Sequence, residues 1–153
     1  MTKTSVSARR VASRDEVPAS KEMIAVARAA RSRAYAPYSG FRVGAAVLTR
    51  RGGVHAGCNI ENASYGAAMC AERCAVAAMI ASGDCDPIAC AVVIAGTAPA
   101  APCGICRQVL AEFARDMKLI LLAEDERGRV VARKAARLSE LLPQAFRLRG
   151  FKR

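Results

Sequence analysis

The chain of 153 residues has the length of one ordinary domain. Its composition, 53% hydrophobic and 24% charged, is globular and excludes collagen-like, mucin-like, coiled-coil and wholly disordered chains. Twenty-four basic against thirteen acidic side chains give a formal charge of +11, which raises nucleic-acid binding as a question that the placement of those charges must answer.

Residues 1–18 read as a disordered basic tail closed by Pro18. From Ser20 to Ala34 the apolar residues Met23, Ile24, Ala27 and Ala30 recur at helical spacing, with Arg28, Arg31 and Arg33 elsewhere on the wheel, until Pro37 and Gly40 end the helix. Val43 to Thr49 reads as a strand that turns at Gly52-Gly53 into a partner strand from Val54 to Cys58. Asn59 to Gly66 is polar and irregular. An alanine-rich helix spans Ala67 to Ser82, stopped by Gly83, and the apolar run from Ile88 to Ala95 suits a buried central strand. Pro102 introduces a helix over Cys103 to Ala114. A strand follows at Leu119 to Ala123, a turn at Asp125 to Gly128, the start of a last strand at Val130 to Ala132, and a short helix at Ser139 to Leu142. Helices alternating with strands predict an α/β layer structure around one sheet, which the early hairpin makes mixed. With aromatics at 5% and no Trp, aliphatic side chains and alanine must fill the core.

The basic residues crowd the ends. Arg9, Arg10 and Arg14 precede the domain, and Arg147, Arg149, Lys152 and Arg153 follow it. Solvated tails account for them, and no RNA-reading aromatic motif accompanies them. Seven cysteines, an odd number, fit reduced thiols and metal binding better than a secreted disulfide framework. No apolar run reaches the roughly 18 residues that span a bilayer, and residues 1–18 lack the apolar stretch of a secretory signal. A cytoplasmic location is expected.

Two clusters carry chemistry. Cys70-Ala71-Glu72-Arg73 opens one helix and Pro102-Cys103-Gly104-Ile105-Cys106 opens another. A Cys-x-x-Cys pair puts two sulfurs on one side of a first helical turn. Alone it fits a redox pair or two buried cysteines as well as a metal grip. Cys70 would add a third thiolate, leaving one tetrahedral position open to water, as in catalytic zinc sites. Helix N-termini lower thiol pKa values, so three thiolates there are physically reasonable. Glu72, two residues from a ligand, can face that water without binding the metal, provided Cys70 sits at or just before the first turn. Cys-x-Glu followed by Pro-Cys-x-x-Cys is the signature of zinc nucleobase deaminases in its three-cysteine form.

The sequence resembles the small homotetrameric cytidine deaminases. The likeness rests on Tyr38-Ser39-Gly40-Phe41-Arg42-Val43-Gly44-Ala45-Ala46, on Gly57-Cys58-Asn59-Ile60-Glu61-Asn62-Ala63-Ser64-Tyr65-Gly66, and on the two cysteine motifs, the second extended by Arg107-Gln108. It runs from about residue 20 to Phe146. The resemblance implies a three-layer α/β/α sandwich with a five-stranded mixed sheet over residues 19–146, leaving 147–153 as a second basic tail. It implies one zinc ion per chain on Cys70, Cys103 and Cys106, Glu72 as proton shuttle, and Arg73 offsetting the negative charge of three thiolates. It also implies that Asn59 and Glu61 bond the ribose 3′-hydroxyl, that Phe41 packs on the pyrimidine, and that Ala71 belongs to the substrate wall. Ala63 and Tyr65 would reach the ribose 5′-end from a neighbouring subunit, and Phe146 would close over a neighbour's base. The implied reaction is hydrolytic deamination of cytidine and 2′-deoxycytidine to uridine and 2′-deoxyuridine, with release of ammonia, in pyrimidine salvage. The implied partner is a small-molecule nucleoside, with no specific nucleic acid and no membrane.

Three rivals stand beside this reading: a zinc deaminase of an aminopyrimidine nucleoside antibiotic, a polynucleotide deaminase, and a structural zinc or thiol-redox module. Cys74, four residues after Cys70, would close the zinc if it were a ligand, but it lies a full turn deeper in the helix. Cys58, Cys85 and Cys90 read as small buried hydrophobes or loop thiols, and His55, the sole histidine, as structural.

Overall fold

A computed structural model describes residues 20–148 of the chain. The expected tail at 1–18 and most of that at 147–153 lie outside these residues. In chain order the elements are α1 (Ser20–Arg31), β1 (Val43–Thr49), β2 (Val54–Cys58), α2 (Ala71–Ala81), β3 (Pro87–Ala95), α3 (Gly104–Phe113), β4 (Lys118–Glu124), β5 (Val130–Arg137) and α4 (Leu138–Leu141). The strands form one sheet in the order β2-β1-β3-β4-β5. Only β3 and β4 run parallel; the other pairs are antiparallel.

Side chains alternate across this sheet, and the alternation builds two cores. Ala45 and Val47 of β1, Cys90, Val92 and Ile94 of β3, and Leu119 and Leu121 of β4 face α2 and α3, meeting Ala75, Met79 and Leu110. The intervening Ala46, Leu48, Ala89, Ala91, Val93, Ile120 and Leu122 face the other way, toward Met23 and Ala27 of α1. The result is the expected α/β/α sandwich on a mixed sheet. Small residues set the layer spacing. A Cβ on Gly44 would lie 1.9 Å from the carbonyl oxygen of Ala27, so only glycine lets α1 press onto β1.

Three local features depart from the sequence reading. The helix expected from Ala67 begins at Ala71, because Met69 exchanges both backbone hydrogen bonds with Ile60, at 2.9 Å each, and residues so paired cannot enter a helix. Tyr65–Ala67 instead make a short 3₁₀ turn. The last strand runs on to Arg137, in register with Lys118, although its charged, exposed side chains give no apolar pattern. Arg28 and Arg31, which the sequence places only off the apolar stripe of α1, hold a buried partner it does not announce: Arg28 donates to Glu124 at 2.6 and 2.8 Å, and Arg31 lies 3.1 Å from the same fully buried carboxylate. Among the described residues no helix is long and apolar enough to cross a membrane.

Candidate active site

The site forms where α2 and α3 begin, beside the end of β3 and the start of β1. Cys70 caps α2 with extended backbone (φ −76°, ψ 154°), and Cys103 caps α3 in the same way (φ −65°, ψ 170°). Cys106 follows in the first turn of α3 and is fully buried. Gly57 on β2 lets the start of α2 come this close, since a Cβ there would stand 2.3 Å from the Ala71 carbonyl oxygen.

These elements bring the sulfurs of Cys70, Cys103 and Cys106 within 4.8 Å of one another, and no other His, Cys, Asp or Glu of the described residues joins them. Cys70 and Cys103 are 3.8 Å apart at sulfur. A tetrahedral zinc with bonds of about 2.3 Å sets its sulfurs about 3.8 Å apart, so the donor set suits that ion in both chemistry and spacing. Burial raises the pKa of Cys106 and Cys70 above the ordinary thiol range. Cys103 is held below it: burial is outweighed by the backbone N–H groups of Cys106 and Ile105 and by the two neighbouring sulfurs. Three thiolates so crowded repel one another, and a soft divalent cation relieves that repulsion.

Arg73 stands next to this cluster. Its Nη2 donates to the Ala68 carbonyl at 2.7 Å, while its buried Nε has no hydrogen-bond partner. Burial opposes its charge, but the sulfurs of Cys70 and Cys106 more than offset this. Glu72 is 5% exposed, and burial lifts its carboxyl pKa above the usual range. Cys74 stays outside the three-sulfur group, Cys90 is a core residue, and Cys85 is exposed. His55 lies on β2, 3.4 Å from the Ser82 hydroxyl, and does not line the site.

A cavity of about 290 Å³ opens over the cluster, close to the lower end of ligand-pocket sizes. Phe41, Asn59, Glu61, Ala71 and Glu72 line it together with Cys70 and Cys103. Asn59 is committed to the chain itself, accepting from the Val43 N–H and donating to the Phe41 carbonyl, both at 2.8 Å. Glu61 accepts the N–H groups of Tyr38 and Ser39 at 2.8 and 3.2 Å, and also the Ser39 hydroxyl. Both side chains thus hold the loop that carries Phe41. Asn59 keeps one N–H and one lone pair to spare, and Glu61 keeps spare lone pairs. Ala63, Tyr65 and Phe146 do not line the cavity; Tyr65 is 82% and Phe146 69% exposed. Gln108 holds Phe146 at both main-chain groups, donating to its carbonyl at 2.9 Å and accepting from its N–H at 3.2 Å. The cavity walls missed by sequence reasoning are Val43, Ile60, Ala68, Met69, Val92, Ala100 and Ala101. They are small or apolar residues with no chemical signature, and only adjacency to the cysteine motifs could have suggested two of the loops.

Residues 18–123 match the family model described as cytidine and deoxycytidylate deaminase zinc-binding region. The chain is 48% identical over 118 residues to a cytidine deaminase of Halalkalibacterium halodurans, covering 76% of this chain and 86% of that protein. It is 44% identical over 115 residues to one of Mycobacterium tuberculosis, covering 75% and 80%. The crystal structure of a cytidine deaminase from Burkholderia pseudomallei superimposes with a TM-score of 0.73 at 44% identity, covering 83% of this chain and 98% of that one.

Proposed function

This chain belongs to the cytidine and deoxycytidylate deaminase family, and on that premise we propose that it hydrolyses cytidine and 2′-deoxycytidine to uridine and 2′-deoxyuridine, releasing ammonia, in pyrimidine salvage. One observation carries the reading: Cys70 and Cys103, two members of a three-sulfur cluster completed by the buried Cys106, line the same nucleoside-sized cavity as the buried carboxyl of Glu72. One zinc ion per chain belongs to Cys70, Cys103 and Cys106. When bound, zinc would supply Lewis acidity that lowers the pKa of water to about 7.

The chain's own residues do the rest. Glu72 takes a proton from the attacking water as its oxygen bonds to C4, and passes that proton to N3, which receives the electron pair of the C4–N3 double bond. The same carboxyl then carries the remaining hydroxyl proton to the exocyclic nitrogen. The C4–N bond breaks, the C4 carbonyl forms, and ammonia leaves; without this transfer an amide-like anion would have to depart. A carboxyl made more basic by burial suits a group that must both take and give protons near neutrality.

Phe41 packs on the pyrimidine, Ala71 forms wall behind it, and the spare hydrogen-bonding capacity of Asn59 and Glu61 goes to the ribose 3′-hydroxyl. Arg73 disperses the charge of the thiolates. Ala63, Tyr65 and Phe146 complete sites on neighbouring subunits of a homotetramer, which suits their exposure. The catalytic domain spans 19–146, between basic tails at 1–18 and 147–153, and the enzyme works in the cytoplasm. Incubation with cytidine tests the reading: absorbance should change as uridine forms, and a zinc chelator should abolish the change. A zinc-loaded protein inert toward cytidine and deoxycytidine would refute it.

A further inference from the structure

A second cavity lies at the far end of the sheet, on its other face. It measures about 490 Å³ and opens between the first turn of α1, the start of β4 and the end of β5. The active-site cavity uses Val43 and Val92, where β1 begins and β3 ends, on the α2 and α3 side. The second uses Lys118 and Arg137, the paired residues at the opposite strand ends, with Ile120 and Ala135 paired next to them on the α1 side.

Four cations line this space: Lys21, Lys118, Arg133 and Arg137. Its single carboxylate, Glu140, already accepts the Arg137 N–H at 2.9 Å. Arg137 is paired with Asp116 outside the cavity lining. The side chains of Lys21 and Arg133, contributed by α1 and β5, make no hydrogen bond or ion pair among the described residues. Like charges converging on one concavity repel, and low-dielectric walls focus their field on whatever enters. Ser20 and Lys21 bring the first described turn of α1 to the same end of the cavity. Ile24, Ile120 and Ala135 supply an apolar wall beside the cations.

We infer that this cavity binds a small phosphate-bearing molecule, its phosphates held by Lys21 and Arg133 across the cavity and any apolar portion resting on Ile24 and Ile120. The inference does not rest on the deaminase reading, because the two cavities share no residue.

The test is calorimetric titration of the full chain at low salt with inorganic tripolyphosphate and, separately, with ATP, each repeated with cytidine present. Saturable binding of about one molecule per chain is expected, unaffected by cytidine. Tighter binding of ATP than of tripolyphosphate would assign the apolar wall to the base; equal binding would assign the site to phosphate alone. Arg133→Glu and Lys21→Glu should each weaken binding about ten- to hundredfold, the scale of one charge-assisted contact. Arg133→Gln, which adds no carboxylate, should weaken it in the same direction. Lys134→Glu is the control: the same charge reversal, one residue along β5 and so on the opposite face of the sheet. No saturable binding, displacement by cytidine, or equal weakening by Lys134→Glu would overturn the inference, the last by reducing it to attraction toward net charge.

Discussion

Gly57 and Ala71 meet so closely that a Cβ on the glycine would stand 2.3 Å from the Ala71 carbonyl oxygen, and 2.2 Å from the backbone nitrogen of Ala75. Both obstacles are main-chain atoms of α2, so no side-chain rotation can relieve the clash. The start of that helix carries Cys70 and Glu72. The hairpin strand β2 therefore sets the position of the metal cluster from behind.

Gly57→Ala should accordingly damage stability and site together. Overpacking of this kind costs about 1–3 kcal/mol, which for a chain of this size lowers the melting temperature by roughly 2–12 °C. Thermal unfolding and zinc content should fall in the same variant, because α2 must retreat and carry Cys70 away from Cys103. A melting temperature and zinc content equal to wild type would show that the close approach does not position the cluster.

The cysteines should divide cleanly. Cys103→Ala removes one of three sulfurs and should empty the site, whereas Cys74→Ala should keep about one zinc per chain, since Cys74 lies outside the cluster. Elemental analysis after dialysis reads both. Loss of zinc from Cys74→Ala would turn the centre into a closed, structural one.

Much of this site was legible in the chain. Cys70-Ala71-Glu72 and Cys103-Gly104-Ile105-Cys106 announce their chemistry by residue type and spacing, and the strands announce themselves by apolar runs or turn residues. What escaped is what depends on residues distant in sequence. Asn59 and Glu61 read as candidate substrate contacts, but their bonds to Val43, Phe41, Tyr38 and Ser39 also make them the brace of the Phe41 loop. The buried Glu124 and its arginines on α1 carry no sequence signal, because a charge at a strand end normally reads as solvated. The basic cavity escaped for the same reason, being assembled from α1, β4 and β5.

Exposure of Tyr65 and Phe146 leads to a prediction about assembly. A chain with few aromatics encloses a nucleoside poorly, and residues this exposed are available to a neighbouring subunit. In a closed assembly of four equivalent sites, inactive Glu72→Gln chains mixed with inactive Phe146→Ala chains should regain activity above either parent once subunits exchange. Some mixed sites would then pair an intact Glu72 with a neighbour's intact Phe146. No recovery despite proven exchange, or a fully active monomer by sedimentation, would count against shared sites.

The central claim is that a zinc held by three cysteines and a proton carried by Glu72 together make this chain a cytidine deaminase. Uridine formation and zinc content measured on the same samples of wild type and Glu72→Gln test it most directly. Both proteins should hold about one zinc per chain, and wild type should turn over cytidine. The variant should lose at least about 10²–10⁴-fold in rate, the scale of general acid–base catalysis, because an amide cannot relay protons. Near wild-type turnover by a zinc-loaded Glu72→Gln protein would contradict the account.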